Sequence, residues 1–199
     1  EESTDWPTIT KPVSEGGLGF HLKWNTEGMD NLFHYAQATP SLRPLRHQEL
    51  TDSLVSAFSD QYILPLSHHQ LIHGKSSFLN KLPGDNPMKL AGARAFYAYM
   101  LAHPGHKLLF MGTEFGQWEE WRYEYSLDWH LLQYDVHRKL QRFFKTANNF
   151  YLRELALRER SDSRQDFEWL SSDDAENNIL IFLRWEEAGP PLLVVSNFS

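Results

Sequence analysis

Three short apolar, strand-like runs alternate with helix-like segments over residues 18–158, and three further strand-like runs follow with no helix between them. Alternation of this kind places parallel strands beside helices, whereas an uninterrupted block of strands forms an antiparallel unit. The predicted fold class is therefore α/β: the C-terminal part of a (β/α)8 TIM-type barrel followed by the start of an all-β antiparallel C-terminal domain. Residues 1–160 are assigned to the partial barrel and 161–199 to the truncated β domain, with Ser161-Asp162-Ser163 breaking the helix between them.

The elements follow in order. Residues 1–17 are rich in Pro, Gly, Ser and Thr and read as an irregular loop. Leu18 to Asn25 alternates Leu18, Phe20, Leu22 and Trp24 with Gly19, His21 and Lys23, the pattern of a short strand. Met29 to Ala38 reads as a helix ended by Pro40, and His47 to Phe58 carries Leu50, Leu54, Val55 and Phe58 at helical spacing. Tyr62 to Leu66 suits a buried strand, and Lys75 to Pro87 a polar loop. Pro87 to Ala102 predicts a helix that opens on proline and stops at His103-Pro104-Gly105. Lys107 to Met111 is the third apolar run; an aromatic and acidic loop reaches Trp129, and an amphipathic helix spans about Tyr134 to Arg158. Phe167–Leu170, Ile179–Trp185 and Leu192–Val195 are the last strands, with Asn177-Asn178 and Gly189-Pro190-Pro191 at the turns.

Composition excludes several function classes. A net charge of −7 disfavours nucleic-acid and anionic-membrane surfaces, which select basic patches. No apolar run approaches the roughly 20 residues that cross a bilayer, and no signal sequence opens the chain. Zero cysteines excludes disulfides and thiolate-ligated metals. These features point to a soluble, cytoplasmic protein. Three strands cannot close a barrel and would leave sheet edges open, so the expectation is a fragment whose missing N-terminal half lies upstream.

In such barrels chemistry gathers at the C-terminal ends of the strands. The candidates are Glu1, His68, His69 and Glu114. The run Leu64-Pro65-Leu66-Ser67-His68-His69-Gln70-Leu71-Ile72-His73-Gly74-Lys75 takes an apolar strand into a loop with three histidines. Together with Glu1-Glu2-Ser3-Thr4-Asp5-Trp6-Pro7 and Phe110-Met111-Gly112-Thr113-Glu114-Phe115-Gly116-Gln117-Trp118, it resembles the 1,4-α-glucan (glycogen) branching enzymes of the amylase-like group. Gly16-Gly17-Leu18-Gly19-Phe20, Lys23-Trp24-Asn25, Pro83-Gly84-Asp85, His103-Pro104-Gly105 and Ser126-Leu127-Asp128-Trp129-His130 extend the resemblance over nearly the whole chain.

The resemblance implies a retaining glycosyl transfer that makes α-1,6 branches on α-1,4-glucan or glycogen, with no cofactor and no metal. It implies Glu1 as the acid/base and His68 as a substrate-binding residue that hydrogen-bonds the sugar. The third carboxylate falls on His69, and the nucleophilic aspartate on an earlier strand outside this chain. Gln70 replaces a glutamate, and Thr26-Glu27-Gly28-Met29-Asp30-Asn31 departs from the Gly-Trp-Met-His-Asp usual there. Retention uses two carboxyl groups and a positively charged transition state. An imidazole is neutral or cationic, never anionic, so His69 is a degenerate catalytic position and the chain alone is expected to be inactive. A non-catalytic glucan-binding relative is the alternative, and hydrolysis or debranching a weaker third.

Plainer readings stand beside these. His69 and His73 would share a face and could ligate metal only if their segment were helical. Glu114 also fits a role in orienting its loop. Trp118, Trp121 and Trp129 fit glucan stacking and capping of the barrel equally. Glu119-Glu120 and Asp173-Asp174 read as solvated faces.

Overall fold

The computed structural model describes residues 6, 8–55, 57–158 and 164–199. Three parallel strands, β1 (Lys23–Trp24), β2 (Tyr62–Leu66) and β3 (His106–Leu109), pair in the order β1-β2-β3. Tyr62 lies opposite Lys23, and Leu66 opposite Leu109, so all three strands deliver their C-terminal ends to one rim.

The strand expected from Leu18 to Asn25 is reduced to two residues. The amides of Leu18 and Phe20 both donate to the Ile9 carbonyl (3.1 and 3.3 Å), and Gly19 between them has φ of +76°. A turn has taken over the first half of an alternating pattern. Helix α1 (Thr26–Gln37) begins ahead of the expected Met29, because the Asn25 side chain accepts the Gly28 amide at 2.8 Å and caps it. Gly28 is required there, since a Cβ would sit 2.6 Å from the Asn25 amide nitrogen.

A 3-10 turn (Arg43–Arg46) leads into α2 (His47–Val55), which ends before the expected Phe58. After β2 come two short helices in a region expected to be strand end and loop: α3 (His68–Leu71) and α4 (Phe78–Lys81). Helix α5 (Asn86–Ala102) matches expectation and is capped by Asp85, which accepts the Met88 amide at 3.0 Å. The final amphipathic stretch is a helix α6 (Asp135–Arg153) that breaks at Glu154 before α7 (Leu155–Arg158). The expected boundary near Ser161 lies outside the described residues.

Strands β4 (Phe167–Asp174), β5 (Ile179–Arg184) and β6 (Leu192–Asn197) form an antiparallel sheet in sequence order. The Asn177-Asn178 turn joins the first pair, with Asn178 at φ of +54°. The inner face of this sheet enters the same core as the α/β part: Leu180, Phe182 and Phe198 cluster with Tyr35, Leu50 and Tyr99. Phe182 is fully buried and its ring meets those of Phe167, Trp169 and Tyr99 edge-on or tilted.

The seam between the sheets is polar as well as apolar. Buried Arg184 on β5 donates to the Ala102 carbonyl at the end of α5 (2.8 Å). Buried Arg43 donates to the Phe198 carbonyl, and the His47 imidazole lies 3.1 Å from the Ser172 carbonyl. The Lys107 ammonium donates to the His103 carbonyl (2.5 Å) and also to that of Gly105. The residue is half-buried and its ammonium is held among carbonyls. Desolvation first, and then the charge of Arg184, holds the Lys107 pKa well below the usual lysine range. Desolvation likewise lowers Arg184, to about 10. The helix macrodipole of α5 presents its negative end here, which favours both cations.

Candidate active site at the strand ends

His68 and His69 stand directly after β2. The turn that carries them is built by its neighbours. Ser67 caps it by accepting the His69 amide (3.2 Å). The buried Gln70 side-chain oxygen accepts both the Ser67 amide and the Ser67 hydroxyl (3.2 Å each). This reciprocal capping box makes a helix of four residues stable where an apolar run followed by polar residues predicts a loop. Gln70 then donates to the Asp30 carboxylate on α1 at 3.1 Å, tying the turn to a second element.

The two imidazoles and Trp24 make one aromatic group at the rim. The His68 and His69 rings are 4.4 Å apart, and Trp24 meets them edge-on at 6.1 and 6.0 Å. His68 is half-buried and His69 exposed. His69 borders a groove with Asp30, His34, Gln37, Lys75 and Lys81. Three of those five neighbours, His34, Lys75 and Lys81, are bases, and one, Asp30, is an acid.

His69 and His73 do not share a helical face. Helix α3 stops at Leu71, Ile72 is extended, and His73 takes a φ of +62°. Among the described residues no group of three or more His, Cys, Asp or Glu side chains could hold a metal ion.

The loop after the turn is held from across the rim, and Glu120 is more than part of a solvated face. Its carboxylate accepts the amides of Gly74 (2.9 Å) and Ser76 (2.7 Å). Those two hydrogen bonds lower its pKa, aided by the charges of Arg122 and His73. Positive φ at His73, Gly74 and Ser76 turns the backbone so that these amides converge. Lys75 closes the loop by donating to the His69 carbonyl at 2.6 Å. Nothing local in the sequence announces the clamp, because its halves lie 46 and 44 residues apart.

The remaining candidates separate. Glu1 lies outside the described residues. Glu114, on a 3-10 turn after β3, is half-buried, and its charge bears on Tyr97 of α5. Trp118 is structural: its ring nitrogen is 3.2 Å from His137, and its carbonyl accepts from Ser77 (2.8 Å) and Asn80 (2.6 Å). Trp121 instead lines a groove of about 450 Å3 with Tyr125, Asp128 and His130. Trp129 stacks on Phe115 at 4.9 Å and keeps half of its surface exposed.

Similar solved structures define the class of fold. The chain superposes on an α-amylase from H. orenii with a TM-score of 0.59 at 16% identity, covering 98% of this chain and 42% of that one. A cyclomaltodextrinase gives 0.64 at 15% identity, covering 88% of this chain and 28% of that one. The architecture is thus the C-terminal part of an amylase-type (β/α)8 barrel running into an antiparallel sheet.

The sequence comparison is narrower. Over all 199 residues the chain is 48% identical to the 1,4-alpha-glucan branching enzyme GlgB of Pseudomonas putida, of which it covers 27%. The GlgB of Aquifex aeolicus is also 48% identical over 200 aligned positions, with 32% of that protein covered. The resemblance to branching enzymes therefore holds from end to end, while the chain spans between about a quarter and a third of the length of these curated relatives. No family model matches the chain.

Proposed function

We propose that the protein carrying this chain is a 1,4-α-glucan branching enzyme by descent, and that its substrate is α-1,4-glucan or glycogen. The single observation that carries this reading is 48% identity along the whole chain to named branching enzymes. The aromatic and imidazole group at the strand ends supports it, because ring faces and imidazole nitrogens suit a pyranose and its hydroxyls. No helix among the described residues is long and apolar enough to cross a membrane.

In the proposed chemistry, a nucleophilic aspartate supplied by an earlier strand attacks the anomeric carbon. Glu1 gives its proton to the departing 4-oxygen as that bond breaks. Glu1 then takes the proton of an incoming 6-hydroxyl, whose oxygen replaces the aspartate and completes the α-1,6 link. His68 holds the sugar at the reacting centre. His69 occupies the place of the third carboxylate and offers no negative charge to the oxocarbenium-like transition state. Losing one well-placed electrostatic stabiliser lowers a rate by about 10²–10³. With the nucleophile also assigned to an earlier strand, this chain alone is expected to make no branches.

The test is the change His69→Asp in the intact protein, assayed for new α-1,6 linkages on amylose. A rise on the order of 100-fold is the expected result. Robust branching by the unaltered protein overturns the degenerate-site assignment. The second reading, a glucan-binding relative without turnover, is favoured by the exposed imidazole and its basic surroundings. Affinity for glycogen with no linkage formed, both before and after His69→Asp, would establish it.

A further inference from the structure

The Ser67, Gln70 and Asp30 side chains form one continuous polar path beneath the histidine turn. Gln70 is buried, and both ends of its amide are engaged: its oxygen takes the Ser67 amide and hydroxyl, and its nitrogen reaches the Asp30 carboxylate. Asp30 belongs to α1, which is anchored in the core through Met29, Leu32 and Phe33. His68 and His69 sit on a single helical turn, and the side-chain tie of that turn to α1 runs through Gln70. We propose that Gln70 and Asp30 are a positioning pair that sets the His68–His69 turn against β2, and thereby the affinity of the rim for glucan; this last consequence rests on the glucan reading above.

The chemistry of the pair is directional. An amide can donate to Asp30 while accepting from Ser67, whereas a carboxylate at the same place could only accept. With the acid on α1, position 70 must carry a donor. Gln70 is no sign of decay on this account; His69 alone is. The titratable groups facing the pair are His34 on α1, itself 2.8 Å from Glu49, His69 on α3, Lys75 in the next loop and Lys81 on α4. All four that line the groove are bases, so Asp30 is the acid against which a new carboxylate would be set.

The experiment compares the intact protein with Gln70→Glu, Asp30→Asn and the double variant. It measures maltohexaose affinity at pH 8 and pH 5, together with hydrogen exchange of the Ser67 and His69 amides. Gln70→Glu puts two carboxylates face to face, so one must hold a proton. The expected result is roughly tenfold weaker binding and faster exchange at pH 8, both recovering towards pH 5. The double variant restores a donor and an acceptor, and should return both readouts to the unaltered values at either pH. Exchange that is unchanged in Gln70→Glu, or a defect that is independent of pH and not rescued by Asp30→Asn, overturns the proposal. If the unaltered protein does not bind maltohexaose, the glucan reading falls, while the exchange data still decide the positioning role.

Discussion

The rim that carries His68 and the seam that joins the two sheets use polar groups in opposite ways. At the rim, side chains hold backbone: Gln70 grips Ser67, and Glu120 grips Gly74 and Ser76, while His69 and Trp121 each border a separate groove. At the seam, buried side chains satisfy the end of a helix: Arg184 and Lys107 donate to the carbonyls that α5 leaves unpaired at its last turn. Charge at the rim remains near water and shapes a surface. Charge at the seam is withdrawn from water, and the stability it gives depends on close packing around it. Changes at the seam should therefore appear as lost stability, and changes at the rim as altered local motion or binding.

The sharpest test of that contrast is Phe182→Ala, which removes a fully buried ring between Tyr99, Phe167 and Trp169. A loss of about 4 kcal/mol in denaturant unfolding is expected. A loss under 1 kcal/mol would show that the sheet does not belong to the barrel's core.

Acid is the next largest perturbation, through His103. This side chain is buried, with Nδ1–H donating to the Pro104 carbonyl at 2.8 Å and Nε2 lying 3.0 Å from the Ser53 hydroxyl. Burial pushes its pKa down to about 3. The unfolded chain thus binds a proton that the folded chain refuses between pH about 6.5 and about 3. Its contribution is fully present above pH 6.5 and is lost progressively on acidification, by about 4 kcal/mol at the lower limit. His103→Gln should flatten the stability profile over that interval, as followed by unfolding at a series of pH values.

Arg184→Ala should cost about 2 kcal/mol, because it leaves the Ala102 carbonyl buried and without its donor. At the rim, Glu120→Ala should barely move the unfolding midpoint. Exchange at the Gly74 and Ser76 amides should nevertheless rise by on the order of tenfold. In the unaltered protein the same amides should loosen as pH falls through the depressed Glu120 pKa, since the carboxylate that accepts them is then protonated. A clear fall in global stability for Glu120→Ala would erase the distinction between the two regions.

The elements readable from sequence are those whose signals are local. Tyr62–Leu66 is bounded by polar residues on both sides, and α5 opens on Asp85 and Pro87 and stops at His103-Pro104. The His68–Leu71 helix was hidden because four residues carry no periodicity; its stability comes from the Gln70 side chain folding back on Ser67. Leu18 to Asn25 had the right alternation, yet Gly19 and the Ile9 carbonyl gave the chain a turn that competes with the sheet. At the candidate site, the identity and order of His68, His69 and Trp24 were visible. The Glu120 clamp and the Asp30 contact join residues 40 to 46 positions apart, so no window along the chain contains them.

Strand β5 has one more consequence. Ile179, Ile181 and Leu183 point one way, and Leu180 and Phe182 the other, so greasiness favours neither side of this ribbon. A slip by one position would still dock aliphatic groups, but it would turn Arg184 outward and strand the Ala102 oxygen opposite a hydrocarbon. The guanidinium thus proofreads the alignment, and a ribbon with a second aliphatic side chain in its place should populate two shifted pairings in solution.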